Sequence, residues 1–120
     1  MPKPDQLEEI LRITPNIAAL IDSEKHSAAA ELNRDRQDFL DLCRKRNLTC
    51  HVLARRAIEN YFSDAAVKDT FGEKFRGLEP YEGLSEANPH WSKNENWKLA
   101  AAMKFDAIKT TDLGIFLEGL

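Results

Sequence analysis

The chain has 120 residues, enough for one domain with one core, and its net charge of -3 argues against a broad nucleic-acid-binding face, although a local basic patch is still compatible with it. No stretch is apolar for long enough to span a bilayer, and no apolar signal-peptide region follows Met1–Asp5. Cys43 and Cys50 lack metal-ligand spacing and lie in apolar patterns, which predicts reduced core thiols in an intracellular, cytoplasmic protein.

The first half of the chain predicts a short helix followed by a strand, a helix and a strand. Apolar periodicity indicates a helix over Asp5–Arg12, which Pro15 terminates. The uninterrupted apolar run Ile17–Ile21 is typical of a strand buried on both faces of a parallel sheet. Helical spacing then covers Ser27–Arg46, and alternation indicates a second strand over Thr49–Ala54. This order implies parallel pairing, with the carboxyl ends of both strands at one edge of the sheet.

The second half of the chain predicts three helices and one long loop. These are a helix over Asp64–Phe71 between Ser63 as cap and Gly72 as terminator, a loop over Gly77–Pro89, a helix from Lys93 to Ile108 with a Ser92–Glu95 capping box, and a last helix capped at Thr111–Asp112. The apolar residues of the last helix predict a stripe in the core, namely Leu113, Phe116, Leu117 and Leu120. A cation in a first helical turn is disfavoured by the dipole, so Lys93 is either solvated or placed beside an anion.

Two acids stand where the first strand ends. Alternation along an extended chain allows the carboxylates of Asp22 and Glu24 to face one point, where they would repel each other unless a cation joined them. Ligation by oxygen alone favours Mg²⁺ or Mn²⁺. The alternative is that Asp22 or Ser23 caps the following helix, since carboxylates and hydroxyls are common at helix starts.

Two arginines and an acid follow the second strand at the same edge. The segment contains Arg55, Arg56 and Glu59, followed by Asn60 and Tyr61. One interpretation is a set of surface ion pairs, which contribute little stability, with the neighbouring apolar side chains in the core. The other is a functional site facing Asp22 and Glu24.

These motifs together resemble the second half of a Toprim domain. The matching stretches are Leu20–Glu24, then His51–Tyr61 after a helix and a strand, and a lysine before Trp97. The version in overcoming-lysogenization-defect (OLD) family nucleases and related ATPase-linked defence nucleases is the most similar. The resemblance covers most of residues 16–120 and implies a three-layer α/β domain with a small parallel sheet.

The resemblance also implies an activity, which is phosphodiester hydrolysis of DNA dependent on Mg²⁺ or Mn²⁺. Asp22 and Glu24 would bind the ion, and Glu59 would be a further ligand or would orient Arg55. Lys93 would stabilise charge on the phosphate. The candidate residues for holding DNA are Arg55, Arg56 and Lys98, and Lys98 is also the other candidate for the site lysine.

The chain departs from the family pattern in three respects. Glu24 stands where the family has aspartate, the first Toprim strand with its catalytic glutamate is missing, and no phosphate loop of an ATPase occurs. We therefore expect residues 1–120 to form one partial Toprim-like domain. It would work with an upstream segment or an ATPase partner and would be weak or inactive alone. The alternatives are a non-catalytic remnant that binds a partner or only packs, and a magnesium-dependent phosphatase or receiver-like domain.

Overall fold

The computed structural model describes residues 3–88 and 90–120, and within them the fold is mixed α/β with six α-helices and one two-stranded parallel sheet. The elements are α1 (Pro4–Ile13), β1 (Ala18–Ile21), α2 (Arg34–Lys45), β2 (Thr49–Val52), α3 (Asp64–Phe71), α4 (Leu84–Ala87), α5 (Asn96–Ala102) and α6 (Asp112–Glu118). Short 3-10 turns lie at Ile58–Tyr61, Lys93–Glu95 and Phe105–Ala107. None of the described helices is both long and apolar enough to cross a bilayer.

The predicted pairing of the two strands is confirmed. β1 and β2 are adjacent and parallel, with Ala18 opposite Thr49 and Ile21 opposite Val52. The pairing continues one step further, because Leu53 N–H donates to the Ile21 carbonyl over 3.0 Å. Both strands therefore end at the same edge of the sheet.

The prediction that β1 is buried on both faces is wrong. α1 and α2 cover one face through a cluster of Leu7, Ile21, Phe39 and Cys43. On the other face Leu20 is 38% exposed, because α6 covers only the neighbouring part, where Phe116 stacks on His51. The apolar run of β1 thus serves one core cluster and leaves an apolar surface.

Helix α2 begins seven residues later than predicted, at Arg34 rather than Ser27. The Asn33 side chain accepts a hydrogen bond from Arg36 N–H and caps the helix there, and the segment before it is irregular. By contrast, α3 has the predicted bounds, because Ser63 caps it and Gly72 follows with φ of 109°.

The predicted helix from Lys93 to Ile108 is wrong as a single element. A 3-10 turn precedes α5, which ends at Ala102. Ser92 Oγ accepts from Asn94 N–H instead of forming the predicted reciprocal box with Glu95. The predicted loop over 77–89 contains α4, and its last residue, Pro89, lies outside the described residues.

Helix α6 begins at the predicted Thr111 cap, but its apolar stripe is only partly in the core. Leu113 is 3% exposed, whereas Leu117 is 40% and Leu120 is 73% exposed. Leu113 in the first turn of α6 packs in a small cluster with Leu53 and Tyr61, and Phe116 in the second turn stacks on His51.

Within the described residues the interior consists of three small apolar clusters. A further cluster of Val67, Leu78, Trp91 and Leu99 lies around α3 and α5. The radius of gyration is 15.6 Å, larger than the roughly 14 Å expected of a compact chain of this length. The described residues are thus less compact than is usual for a chain of this length.

Gly114 allows α6 to approach the preceding turn. A Cβ there would collide with the Ile108 carbonyl oxygen, whereas a Cβ at Gly119 in the same segment would have its nearest atoms at 3.6 Å. We expect Gly114→Ala to lower the free energy of unfolding by about 1–3 kcal/mol and Gly119→Ala to change it by less than about 0.5 kcal/mol. Urea unfolding of both variants checks this, and equal effects would contradict the close approach.

Candidate active site

The turn after β1 is attached to the turn after β2. Glu24 N–H donates to the Arg56 carbonyl over 2.8 Å, and Ser23 Oγ–H donates to the Arg55 carbonyl over 2.8 Å. Ser23 is almost fully buried, and Glu24 has φ of 56°, which is unusual for a residue other than glycine. These contacts hold Asp22 and Glu24 beside the segment that follows β2.

Asp22 also contacts this segment through its side chain. Its Oδ1 accepts a hydrogen bond of 3.1 Å from Ile58 N–H, the first amide of the 3-10 turn that contains Glu59. Asp22 and Ser23 do not cap α2, because Asn33 does so. The carboxylate of Asp22 therefore satisfies an orphan amide in a different element.

Glu59 is a buried carboxylate that is paired with a lysine. Its side chain is 5% exposed, and its Oε1 lies 3.2 Å from Lys93 Nζ. Lys93 is 58% exposed and reaches the acid from the 3-10 turn before α5. Of the two alternatives for Lys93, solvation or a position beside an anion, the structure has the second, and Glu59 is the anion.

The charges at these positions influence one another. Burial raises the pKa of Asp22, the hydrogen bond from Ile58 opposes this, and the negative charges of Glu59 and Glu24 raise the pKa further. Burial lowers the pKa of Lys93, but the charge of Glu59 and its hydrogen bond outweigh burial, so the pKa is raised overall. The charges of Glu24 and Asp22 also raise the pKa of Lys93, so the four groups form one electrostatic cluster.

Two arginines flank Glu24. Arg36 Nη2 lies 4.0 Å from Glu24 Oε1, and Arg56 Nε lies 3.9 Å from Glu24 Oε2. Arg36 Nε also donates to the Asp22 carbonyl over 2.7 Å. The first-strand acids are therefore close to positive side chains from α2 and from the turn after β2.

Two of the predicted nucleic-acid contacts are directed elsewhere. Arg55 Nη1 donates to the Asn60 carbonyl over 2.9 Å, and its guanidinium lies 4.8 Å from the centre of the Tyr61 ring. Among the described residues the Arg55 guanidinium thus contacts Asn60 and Tyr61, whereas Glu59 pairs with Lys93. Lys98 pairs with Glu95 at 3.7 Å on the surface of α5, so Lys93 is the lysine beside the acids.

A cleft of about 300 Å³ opens beside these residues. Its charged lining consists of Glu24, Glu59, Arg56, Lys93, Glu82 and Glu86. Asn60 fixes one wall, because its buried amide donates to the Glu79 and Glu82 carbonyls over 2.7 and 2.9 Å. The cleft has carboxylates and cations on facing surfaces.

The chemistry of this donor set fits a hard cation, since Asp22, Glu24 and Glu59 offer oxygen atoms only. Their present arrangement is not a preformed metal centre. No group of three His, Cys, Asp or Glu side chains stands close enough to hold an ion within residues 3–88 and 90–120. Glu24 and Glu59 would have to leave their arginine and lysine partners to become ligands.

Three polar residues make contacts in this region that were not predicted from the sequence, namely Ser23, Arg36 and Asn60. A signal was available for Arg36, because it lies in the first turn of α2, where a cation is disfavoured unless an anion is near. The error in the start of α2 removed that signal. The contacts of Ser23 and Asn60 depend on tertiary structure and have no local pattern.

Comparisons with protein-family models, with curated proteins and with solved structures found no match.

The raised pKa of Asp22 leads to a prediction about stability. The ionised carboxylate destabilises the fold at neutral pH, and this cost disappears as the pH falls through the folded pKa towards the ordinary value of 3.8. We expect Asp22→Asn, which retains an acceptor for Ile58, to be more stable than the wild type at pH 7.

The advantage of Asp22→Asn should shrink near pH 4, because Asp22 is then increasingly protonated in both states. Urea unfolding at the two pH values measures the difference in free energy of unfolding between Asp22→Asn and the wild type. The matched control is Asp69→Asn, on the exposed surface of α3. An Asp22→Asn protein that is less stable at pH 7 would contradict the electrostatic argument.

Proposed function

We propose that this chain is part of a Toprim-like, divalent-metal-dependent DNA nuclease module of the OLD type, and that it is weak or inactive alone. The observation that carries the proposal is the cluster of Asp22, Glu24, Glu59 and Lys93 at the carboxyl ends of two parallel strands. The family resemblance assigns roles to the same four residues. Ligand sites in open α/β sheets lie at this edge.

The roles come from the resemblance, and the positions of the side chains support them. Asp22 and Glu24 would hold Mg²⁺ or Mn²⁺ with Glu59 as a further ligand, and a bound ion of this kind activates water and stabilises a leaving oxygen. Lys93, released from Glu59, would counter charge on the phosphate. Arg56 lines the cleft and would hold the DNA backbone, whereas Arg55 and Lys98 face other partners.

An open sheet edge supports the expectation of an upstream or partner segment. Ile21 directs its carbonyl towards β2, so alternation directs the backbone of Leu20 to the opposite edge. No strand pairs with that edge within the described residues. A strand added there would run beside Asp22, where the first Toprim strand, or an ATPase-linked partner that carries it, would supply the missing glutamate.

A second candidate function is a non-catalytic Toprim remnant that binds a protein partner. It is favoured by the internal partners of the acids, since Asp22 accepts from Ile58 and Glu59 pairs with Lys93. Acids that already have partners within the protein do not require an ion. Metal binding separates the two candidates.

Metal binding by the isolated chain should be weak. Glu24 and Glu59 must exchange a cationic partner for the ion, so we expect affinity for Mn²⁺ of about millimolar. Paramagnetic broadening of backbone amides should begin at Asp22, Glu24 and Glu59. The Asp22→Ala protein should lose this broadening, and Asp69→Ala should retain it.

Unchanged broadening in Asp22→Ala would place the ion elsewhere. The absence of any broadening near Asp22 in the wild type would favour the non-catalytic remnant.

Nuclease activity of the isolated chain on plasmid DNA with Mn²⁺ should be absent or very low. Metal-assisted hydrolysis depends on fixed coordination, and this chain supplies only part of the ligand set. When an upstream segment or partner completes the site, Asp22→Ala and Lys93→Ala should each abolish cleavage. Asp22→Ala should leave the fold intact, whereas Lys93→Ala should also lower the free energy of unfolding, because it leaves the buried Glu59 carboxylate without its cation. Robust nicking by the chain alone that disappears in Asp22→Ala would show that the ligand set is already complete.

A further inference from the structure

We infer that Arg36 and Arg56 form a binding site for a phosphate group, and that the carboxylate of Glu24 occupies this site in the free protein. The inference goes beyond the proposed nuclease function because it requires no metal ion. Its basis is the convergence of two guanidinium groups from different elements on one carboxylate.

The contacts between Glu24 and the arginines are loose. At 3.9 and 4.0 Å they are ion pairs but too long for hydrogen bonds. Apart from the bond between Arg36 Nε and the Asp22 carbonyl, neither guanidinium makes a hydrogen bond to any of residues 3–88 and 90–120. Several strong donors are thus directed at an anion that does not satisfy them.

The arginines are held in place more firmly than the acid between them. Arg36 is anchored by its bond to Asp22, and the backbone of Arg56 donates to the Pro80 carbonyl over 2.9 Å. The guanidinium of Arg56 also lies close to Gly83. Glu24 is fixed only through its backbone, so its side chain, 30% exposed, can turn towards solvent while the turn persists.

A phosphate group satisfies this arrangement better than a carboxylate. It has more oxygen atoms and up to two negative charges, and it accepts paired bonds from guanidinium groups. Lys93 lines the same cleft as Glu24 and Arg56 and adds a further cation there. Removal of the Glu24 charge leaves Arg56 and Lys93 facing a cleft that is open to solvent, with Arg36 beside them on the other side of Glu24.

The test is a titration with inorganic phosphate at constant ionic strength in the presence of EDTA, followed through the Nε–H resonances of Arg36 and Arg56. We expect Glu24→Gln to bind phosphate at least tenfold more tightly than the wild type. The matched control is Glu8→Gln, which removes the same charge and also frees an arginine, Arg46, from an ion pair between α1 and the end of α2. Glu8→Gln should bind phosphate no more tightly than the wild type.

A second substitution shows whether the gain is local. Adding Arg56→Gln to Glu24→Gln should abolish the gained affinity. If Glu24→Gln proves unfolded by circular dichroism, Glu24→Asp replaces it, because a side chain shorter by one methylene also withdraws from the arginines. Three results would overturn the inference. They are an equal gain in phosphate affinity in Glu8→Gln, a gain in phosphate affinity that persists when Arg56 is replaced, and no gain in phosphate affinity in the folded Glu24 variant.

Oligothymidylate in a parallel titration identifies the source of the phosphate. If Glu24→Gln gains affinity for both ligands, the site binds the nucleic-acid backbone as well as free phosphate. If it gains affinity for inorganic phosphate alone, the site binds free or terminal phosphate groups. Because EDTA removes divalent ions, failure here leaves the metal proposal intact, and failure of Mn²⁺ binding leaves this inference intact.

Discussion

Burial of the Glu59 carboxylate is the constraint on which the arrangement of this region depends. A buried carboxylate costs several kcal/mol unless a cation or hydrogen-bond donors compensate it. Glu59 is 5% exposed, and the compensating cation, Lys93, comes from a segment more than thirty residues later in the chain. The turn before α5 must therefore lie against the turn after β2. That contact forms part of the wall of the cleft and brings a positive charge to the strand ends.

Other polar side chains connect the remaining parts of the fold in the same way. Asp112 at the start of α6 accepts hydrogen bonds from Tyr61 Oη (2.6 Å), from Ala54 N–H (2.9 Å) and from His51 Nε2 (2.7 Å). Burial alone would raise the pKa of Asp112, but these bonds lower it overall. The Asp112 carboxylate thus stabilises the fold at pH values above the ordinary carboxyl pKa of 3.8. This stabilisation is lost as the pH falls through the lowered pKa of Asp112 in the folded protein. Such connections join the elements of a fold whose described residues form three small apolar clusters.

The features that could be predicted from the sequence are those with local chemical causes. Ser63 and Gly72 set the ends of α3, and the βαβ order set the parallel pairing that brings Asp22 and Glu24 near Glu59. The exposure of Leu20 could not be predicted, because an apolar run does not reveal how many layers cover it. The start of α2 was missed because Leu32 continues the helical pattern past the Asn33 cap, and this error concealed the role of Arg36.

The balance of charge at the strand ends determines what this region can bind. Three acids and three cations meet there, and their formal charges cancel: Asp22, Glu24, Glu59, Arg36, Arg56 and Lys93. The pairing is unequal, because Glu59 and Glu24 each face a cation, whereas among the described residues the carboxylate of Asp22 accepts a hydrogen bond from an amide and has no ion pair. A divalent ion would be favoured at Asp22, and an anion would be favoured at the two arginines if Glu24 moved away. Movement of Glu24 from the arginines towards an ion at Asp22 would serve both, so the binding of a metal and the binding of a phosphate would be coupled through one side chain.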